Sequence, residues 1–261
     1  MLKWYLGTMG FSYKDWNAVF YPDGMQPRDY LAHYSQVFDT VELDSTFYGT
    51  PKQEYVERWF AITPPGFTFC VKTPKEITHE RHLIDVEELM AEFLETMMIL
   101  GDKLGPVLIQ LPPDFMFSQI HSLAVFLRQL PLDQRFAVEF RHPSWNTTAT
   151  GQLLQNHNIG WVSTDYKHLP QRVYATADIL YIRWIGRHGR YETKDFERID
   201  PTPRLAAWLD DINNQTNGIE GIYGFFNDDF AGHAPATCNR FKQMVGLPVK
   251  ELKPPQQGRL F

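Results

Sequence analysis

The sequence predicts a single-domain (β/α)8 barrel of the TIM type, and three observations predict it. Eight short apolar runs of strand length and strand composition recur along 261 residues. Mostly helical patterns lie between them, and no low-complexity linker divides the chain. The runs also end in polar residues, the arrangement of a barrel whose site sits at one rim. An open doubly wound sheet is the alternative. It would usually carry GxGxxG after the first strand, whereas "LGTMGFS" offers only Gly7 and Gly10.

In chain order, the expected strands are Trp4–Met9, Thr40–Ser45, Phe67–Thr73, Pro106–Leu111, Phe136–His142, Gly160–Asp165, Ile179–Ile185 and Gly221–Asn227. Expected helices lie in "PRDYLAHYSQVF", with Pro27 at a first helical position, and in "PKQEYVERWFAI", with Pro51 placed the same way. "DVEELMAEFLETMMIL" starts with Asp85 as an N-cap and Glu88 three residues on. "SQIHSLAVFLRQL", "PRLAAWLDDINNQ" and "APATCNRFKQMVG" show apolar residues at helical spacing. Tyr166 to Asp178 is irregular and predicts at most a short helix. Residues 1–246 form the expected barrel, and 247–261, "LPVKELKPPQQGRLF", a surface tail.

Composition narrows the function. The chain is 43% hydrophobic and 15% aromatic, with a formal charge of −6. That balance speaks against a protein that coats nucleic acid. Two cysteines, Cys70 and Cys238, form neither a disulfide framework nor a zinc motif; Cys70 reads as a core residue, and Cys238 sits in a helical pattern with nothing nearby to mark it as a nucleophile. The N-terminus lacks a signal-peptide pattern and no long apolar run follows, which predicts a cytoplasmic protein without membrane contact. The oligomeric state is not legible.

Period-two phasing places the polar strand residues. Val41 and Leu43 oppose Glu42 and Asp44; Val107, Ile109 and Leu111 oppose Leu108 and Gln110; Leu180, Ile182 and Trp184 oppose Tyr181 and Arg183. In "FAVEFRHPSW", Phe136, Val138 and Phe140 oppose Ala137, Glu139 and Arg141. The apolar sets should face the helices and the polar sets the barrel axis. Lys72, Asp165, Asn227 and Asp228 end other strands, so charges distant in sequence should converge. A closed structural ion network would arrange the same residues in the same way.

These residues carry a resemblance. "GTMGFSYKDW…FYP", "FDTVELDSTFY", "TPPGFTFCVK", "LGPVLIQLPP", "FAVEFRHPSW" and "YGFFNDDFAGHAPA" occur in the order, and span the length from Gly7 to about Asn239, of the DUF72 family, the YecE-like proteins, which the chain resembles. The resemblance implies a TIM-like barrel and implies no particular reaction. This chain departs from the family pattern at Met9-Gly10-Phe11, where Ser-Gly-Trp is commoner, and at Asp44, where Asn is. It also carries Trp184-Ile185-Gly186 where the family has a His-Gly, so an imidazole base at that point does not carry over.

The expected reading is an enzyme binding a small anionic ligand, phosphorylated or carbohydrate-like, and acting by hydrolysis or acid–base chemistry. Glu139 is the first candidate base or nucleophile, with Glu42 and Asp165 next. Lys72, Arg141 and Arg183 would orient the anion, because guanidinium forks match phosphate and carboxylate. Gln110, Asn227 and Asp228 would supply hydrogen bonds, and Trp16, Tyr48 and Trp145 stacking surfaces. A divalent metal on Glu42, Glu139, Asp165 and His142 is disfavoured by the cations crowded beside it. The loop "GRHGRYETKDF" could hold phosphate or be a solvated loop. Two alternatives stand beside this reading: a metal-dependent nucleic-acid-processing protein, and a non-catalytic ligand- or partner-binding protein.

Overall fold

The computed structural model describes residues 2–166 and 169–250. Among the described residues, nine strands form two all-parallel sheets. One has the order β1 (Lys3–Thr8), β9 (Gly221–Phe226), β8 (Ile179–Trp184), β7 (Ser163–Asp165). The other runs β2 (Thr40–Leu43), β3 (Thr68–Lys72), β4 (Leu104–Gln110), β5 (Phe136–Glu139), β6 (Gly160–Trp161). The eight expected strands are all present, and the sixth is split at Val162 into β6 and β7. The expected single sheet is thus two sheets that meet at two seams. At one, β6 pairs with β5 and β7 with β8, while Val162 N–H donates to Val138 O at 2.9 Å. At the other, Met9 bridges Glu42 in parallel sense and Gly10 N–H donates to Glu42 O at 2.7 Å. Gly7 is needed here, because a Cβ on it would lie 2.2 Å from Thr40 O.

The helices are α1 (Tyr30–Val37), α2 (Gln53–Ile62), α3 (Glu87–Met98), α4 (Ile120–Gln129), α5 (Thr148–Gln155), α6 (Thr202–Asn213), α7 (Asp228–Ala231) and α8 (Ala234–Met244). Some starts differ from expectation. Pro27 opens a 310 turn that leads into α1, and α2 begins at Gln53 rather than Pro51. Asp85 does not cap α3; it has φ of +52° and Val86 takes the cap position. Helix α5 escaped the sequence reading because "TATGQLLQ" is short and holds two threonines and a glycine, which are weak helix formers, although Thr147 caps it through Thr150 N–H at 3.2 Å. Among the described residues, no helix forms between Tyr166 and Asp178. No described helix is long and apolar enough to cross a membrane. Most of the expected tail lies outside the described residues; within them, Leu247 packs on the core and Lys250 pairs with Asp39 at 2.6 Å.

Two apolar clusters show the strand phasing. The larger lies between sheets and helices and takes Val41, Leu43, Val107, Ile109, Phe136, Val138, Phe140, Leu180, Ile182 and Trp184. The smaller takes Met9, Cys70, Leu108, Ala137, Val162, Tyr181, Tyr223 and Phe225 from strands of both sheets. It is therefore enclosed between them. The alternate residues of β2, β5 and β8 point the same way as this inner cluster, and there the polar residues gather at the C-terminal strand ends.

Candidate functional site

Glu42, Glu139 and Arg183 occupy consecutive inward positions above the inner cluster, and all three are buried. Arg183 is the hub. Its Nε and Nη2 donate to Glu42 Oε1 at 3.1 and 2.7 Å, and its Nη1 donates to Glu139 Oε2 at 2.5 Å. Tyr181, two residues earlier on β8 and so on the same face, donates its hydroxyl to Glu42 Oε2 at 2.6 Å. Arg141 Nε pairs with Glu139 Oε1. Gln110 Oε1 accepts from Arg141 Nη2 at 3.2 Å and from Arg183 Nη1 at 3.3 Å. One guanidinium thus separates two buried carboxylates, and a second guanidinium covers one of them.

Burial raises the Glu42 carboxyl above its ordinary range, against the opposing pull of Arg183. Burial also acts on Glu139, but Arg141 and Arg183 together outweigh it and hold that carboxyl below the usual range. For Arg183, burial works against the charge, yet Glu139 and Glu42 prevail and fix it as a cation. So Glu139 is ionised with both oxygens engaged.

Closer to solvent the saturation ends. Lys72 is 7% exposed, and the carboxylate nearest its Nζ is Asp44 Oδ1 at 3.8 Å, beyond hydrogen-bond reach. The ammonium lies 3.9 Å from the Phe47 ring centroid. Burial pushes the Lys72 amine below its ordinary value. Arg141 stacks on Tyr166 at 4.2 Å. Asp44 keeps a half-exposed side chain, 3.7 Å from Arg183. His79, in the loop after β3, packs edge-on against Phe47 at 4.9 Å, and its Nδ1 is engaged with Thr78 Oγ1 at 2.8 Å. Burial, then Lys72 and Arg141, push this imidazole down to about 4.

The structure brings Glu42, Glu139, Lys72, Arg141, Arg183 and Gln110 together, as the phasing implies. Asp165 stands elsewhere. Its carboxylate faces α6, where Arg204, Trp208 Nε1 at 3.1 Å and Gln171 Nε2 at 3.0 Å hold it. The reason is phase: Asp165 pairs with Trp184, and both point to the helix side. Asn227 caps α7 through Asp229 N–H at 2.9 Å. Asp228 accepts from Trp16 Nε1 at 3.1 Å and from Ala234 N–H at 2.7 Å. Burial raises its carboxyl to about 6. Trp16 and Trp145 are buried packing residues; Trp145 stacks on Phe140 at 4.4 Å and donates to Phe115 O at 2.7 Å. Tyr48 is exposed. His142 turns aside, its Nδ1 accepting from Ser144 N–H. Cys70 and Cys238 are buried, and burial raises both thiols. Among the described residues, no group of three or more His, Cys, Asp or Glu side chains gathers to hold a metal ion.

Sequence reasoning turned Tyr181 inward beside Arg183 but gave it no role, and it left His79 unassigned. The period-two phase of Tyr181 with Arg183 was the available signal. Nothing in the sequence marks the turn that carries His79.

The fold and this cluster define a parallel α/β protein with buried charges at the C-terminal ends of its strands. The family described as "Protein of unknown function DUF72" matches residues 5–259, and the chain belongs to that family. YecE of Escherichia coli K12, a UPF0759 protein, is 37% identical over 130 residues, which cover 50% of this chain and 47% of YecE. That match therefore spans about half the length of the relative. YunF of Bacillus subtilis 168, another UPF0759 protein, is 33% identical with 97% of this chain and 98% of that protein covered. Among solved structures, a DUF72 family protein from Thermotoga maritima superposes with a TM-score of 0.79 at 32% identity, covering 94% of this chain and 99% of the other.

Proposed function

We propose that the two sheets close at their seams into one TIM-type barrel, and that the chain is an enzyme for a small anionic compound, phosphorylated or carbohydrate-like, bound at the mouth. The reaction is hydrolysis or other acid–base chemistry. One observation carries the reading: the inner cation is saturated and the outer two are not. Arg183 is spent on Glu42 and Glu139, whereas among the described residues neither Lys72 Nζ nor Arg141 Nη1 has a hydrogen-bond acceptor. A phosphate or carboxylate oxygen supplies what these donors lack.

The arrangement also suggests how binding engages Glu139. Arg141 lies between that carboxylate and solvent, with a side chain 12% exposed. An anion that takes Arg141 competes with Glu139 Oε1 and frees that oxygen to act as base or nucleophile, while Arg183 keeps the carboxylate ionised. Glu42 is the second candidate. Gln110 fixes the spacing of the two guanidiniums. Asp165, held on α6, takes no part.

The test is a thermal-shift screen of phosphorylated and carboxylated compounds, followed by product analysis with the parent and Glu139→Gln. The proposal expects at least one stabilising compound, its turnover by the parent, and loss of turnover in the variant. Intact turnover in Glu139→Gln would remove the base assignment. Stabilisation without turnover would favour a non-catalytic binding protein. Steeply salt-dependent binding of short DNA or RNA would favour nucleic acid as the substrate.

A further inference from the structure

We propose that Lys72 is a Schiff-base-forming amine, and that the compound taken at the mouth is a small anionic aldehyde or ketone. This deepens the anion-site reading and rests on it.

Two buried lysines show why. Lys103 is 5% exposed, and its Nζ donates to Phe60 O at 2.6 Å, Thr63 O at 2.7 Å and Thr63 Oγ1 at 3.1 Å. That is how a structural ammonium satisfies three donors. Lys72 is 7% exposed and makes no such bond among the described residues; only the Phe47 face at 3.9 Å and Asp44 at 3.8 Å are near. An ammonium on a largely buried side chain with no protein acceptor is poorly compensated, and the neutral amine loses less there. Asp44 and Glu42 on the β2 side, Glu139 on β5 and Arg183 on β8 are the charged groups that act on it. Burial and Arg183 favour the free amine, the nucleophilic form.

The neighbours suit proton transfer. Asp44 Oδ1 is buried and has no hydrogen-bond partner, although its side chain reaches solvent. His79 shares the Phe47 ring with Lys72. The backbone around His79 is unusual: Glu76–Glu80 is a π-helical turn, and His82, Leu83 and Asp85 have φ of +50°, +63° and +52°. Strain of this kind in non-glycine residues persists where the surrounding structure holds it, and it clusters at functional sites.

The step balances without an oxidant or reductant. The ammonium first gives a proton to Asp44. The Nζ lone pair attacks the carbonyl carbon, forming a C–N bond as the C=O π bond breaks, and the oxygen takes a proton from that nitrogen by way of Asp44. The hydroxyl then leaves as water, its C–O bond breaking as the last nitrogen proton passes to it, which leaves a neutral imine and the first proton on Asp44. Arg141 would hold the substrate's anionic group beside the new bond.

The probe is glyoxylate with cyanoborohydride at neutral pH, using the whole chain, read by peptide mass mapping. Lys72 is expected to be alkylated about tenfold faster than exposed Lys14 and Lys52. Inorganic phosphate should slow labelling of Lys72 and leave Lys14 unchanged. Labelling of Lys72 no faster than the exposed lysines, or an equal advantage in urea, overturns the inference. If phosphate raises the melting temperature while Lys72 stays unlabelled, the Schiff base fails and the anion site stands. If neither occurs, both fail.

Discussion

The protein has two ion clusters at opposite ends of its strands, and they are built differently. At the N-terminal end, Arg135 pairs with Asp178 at 2.8 Å and Glu220 at 2.5 Å, with side chains 41%, 28% and 68% exposed. These are partners in water, worth little once screened. At the C-terminal end, Arg183, Glu42 and Glu139 have side chains 4%, 0% and 0% exposed. A stability role needs only the first kind. Burying three charges carries a desolvation cost that a hydrophobic packing would avoid. The exposed cluster also leaves Arg135 Nη1 and Asp178 Oδ1 without a hydrogen-bond partner among the described residues, so what sets the buried cluster apart is the burial of its charges.

The largest expected effect breaks the buried hub. Arg183→Met leaves two carboxylates facing each other without their cation and should cost roughly 3–5 kcal/mol in urea unfolding. A loss under about 1 kcal/mol would mean that the glutamates find other partners. The two buried lysines come next. Lys103→Met strands two carbonyls and should cost about 1–3 kcal/mol, whereas Lys72→Met should be close to neutral or stabilising. Equal losses would show that Lys72 is structural after all.

A smaller effect concerns pH. The folded Asp228 carboxyl titrates at about 6 against an ordinary 3.8, so between these values the folded state holds the extra proton. Its contribution to stability therefore grows as pH falls through that window and is lost above it. Asp228→Asn should be at least as stable as the parent at neutral pH and lose that advantage towards pH 4, by paired thermal melts. A constant difference across the range would refute the shift. Last, Arg135→Ala at the exposed cluster should cost at most about 1 kcal/mol, less in high salt.

The strands and the inner face of the site were legible because both follow a period of two. Glu42, Glu139, Gln110 and Arg183 were placed by alternation with apolar neighbours that proved to face the helices. Asp165 was misplaced because it was assigned by its position at a strand end; the alternation from Trp161, outer, and Val162, inner, puts it on the outer phase. Trp16 and Trp145 lie on loops, where composition does not distinguish a packed ring from a stacking surface. Asp85 resembled a cap, but the π-helical turn before it shifts the start of α3. The resemblance to the DUF72 family is borne out by the family match. Which donors lack partners depends on distances alone, and no sequence pattern encodes that.

The most direct test of the anion site is a crystal soaked in tungstate, a heavy phosphate analogue, with the metal located by anomalous scattering. Anion binding at the mouth predicts a tungsten peak between Lys72 and Arg141, removed by Arg141→Ala. Peaks confined to exposed arginines such as Arg187 and Arg190, with none at the mouth, would contradict it.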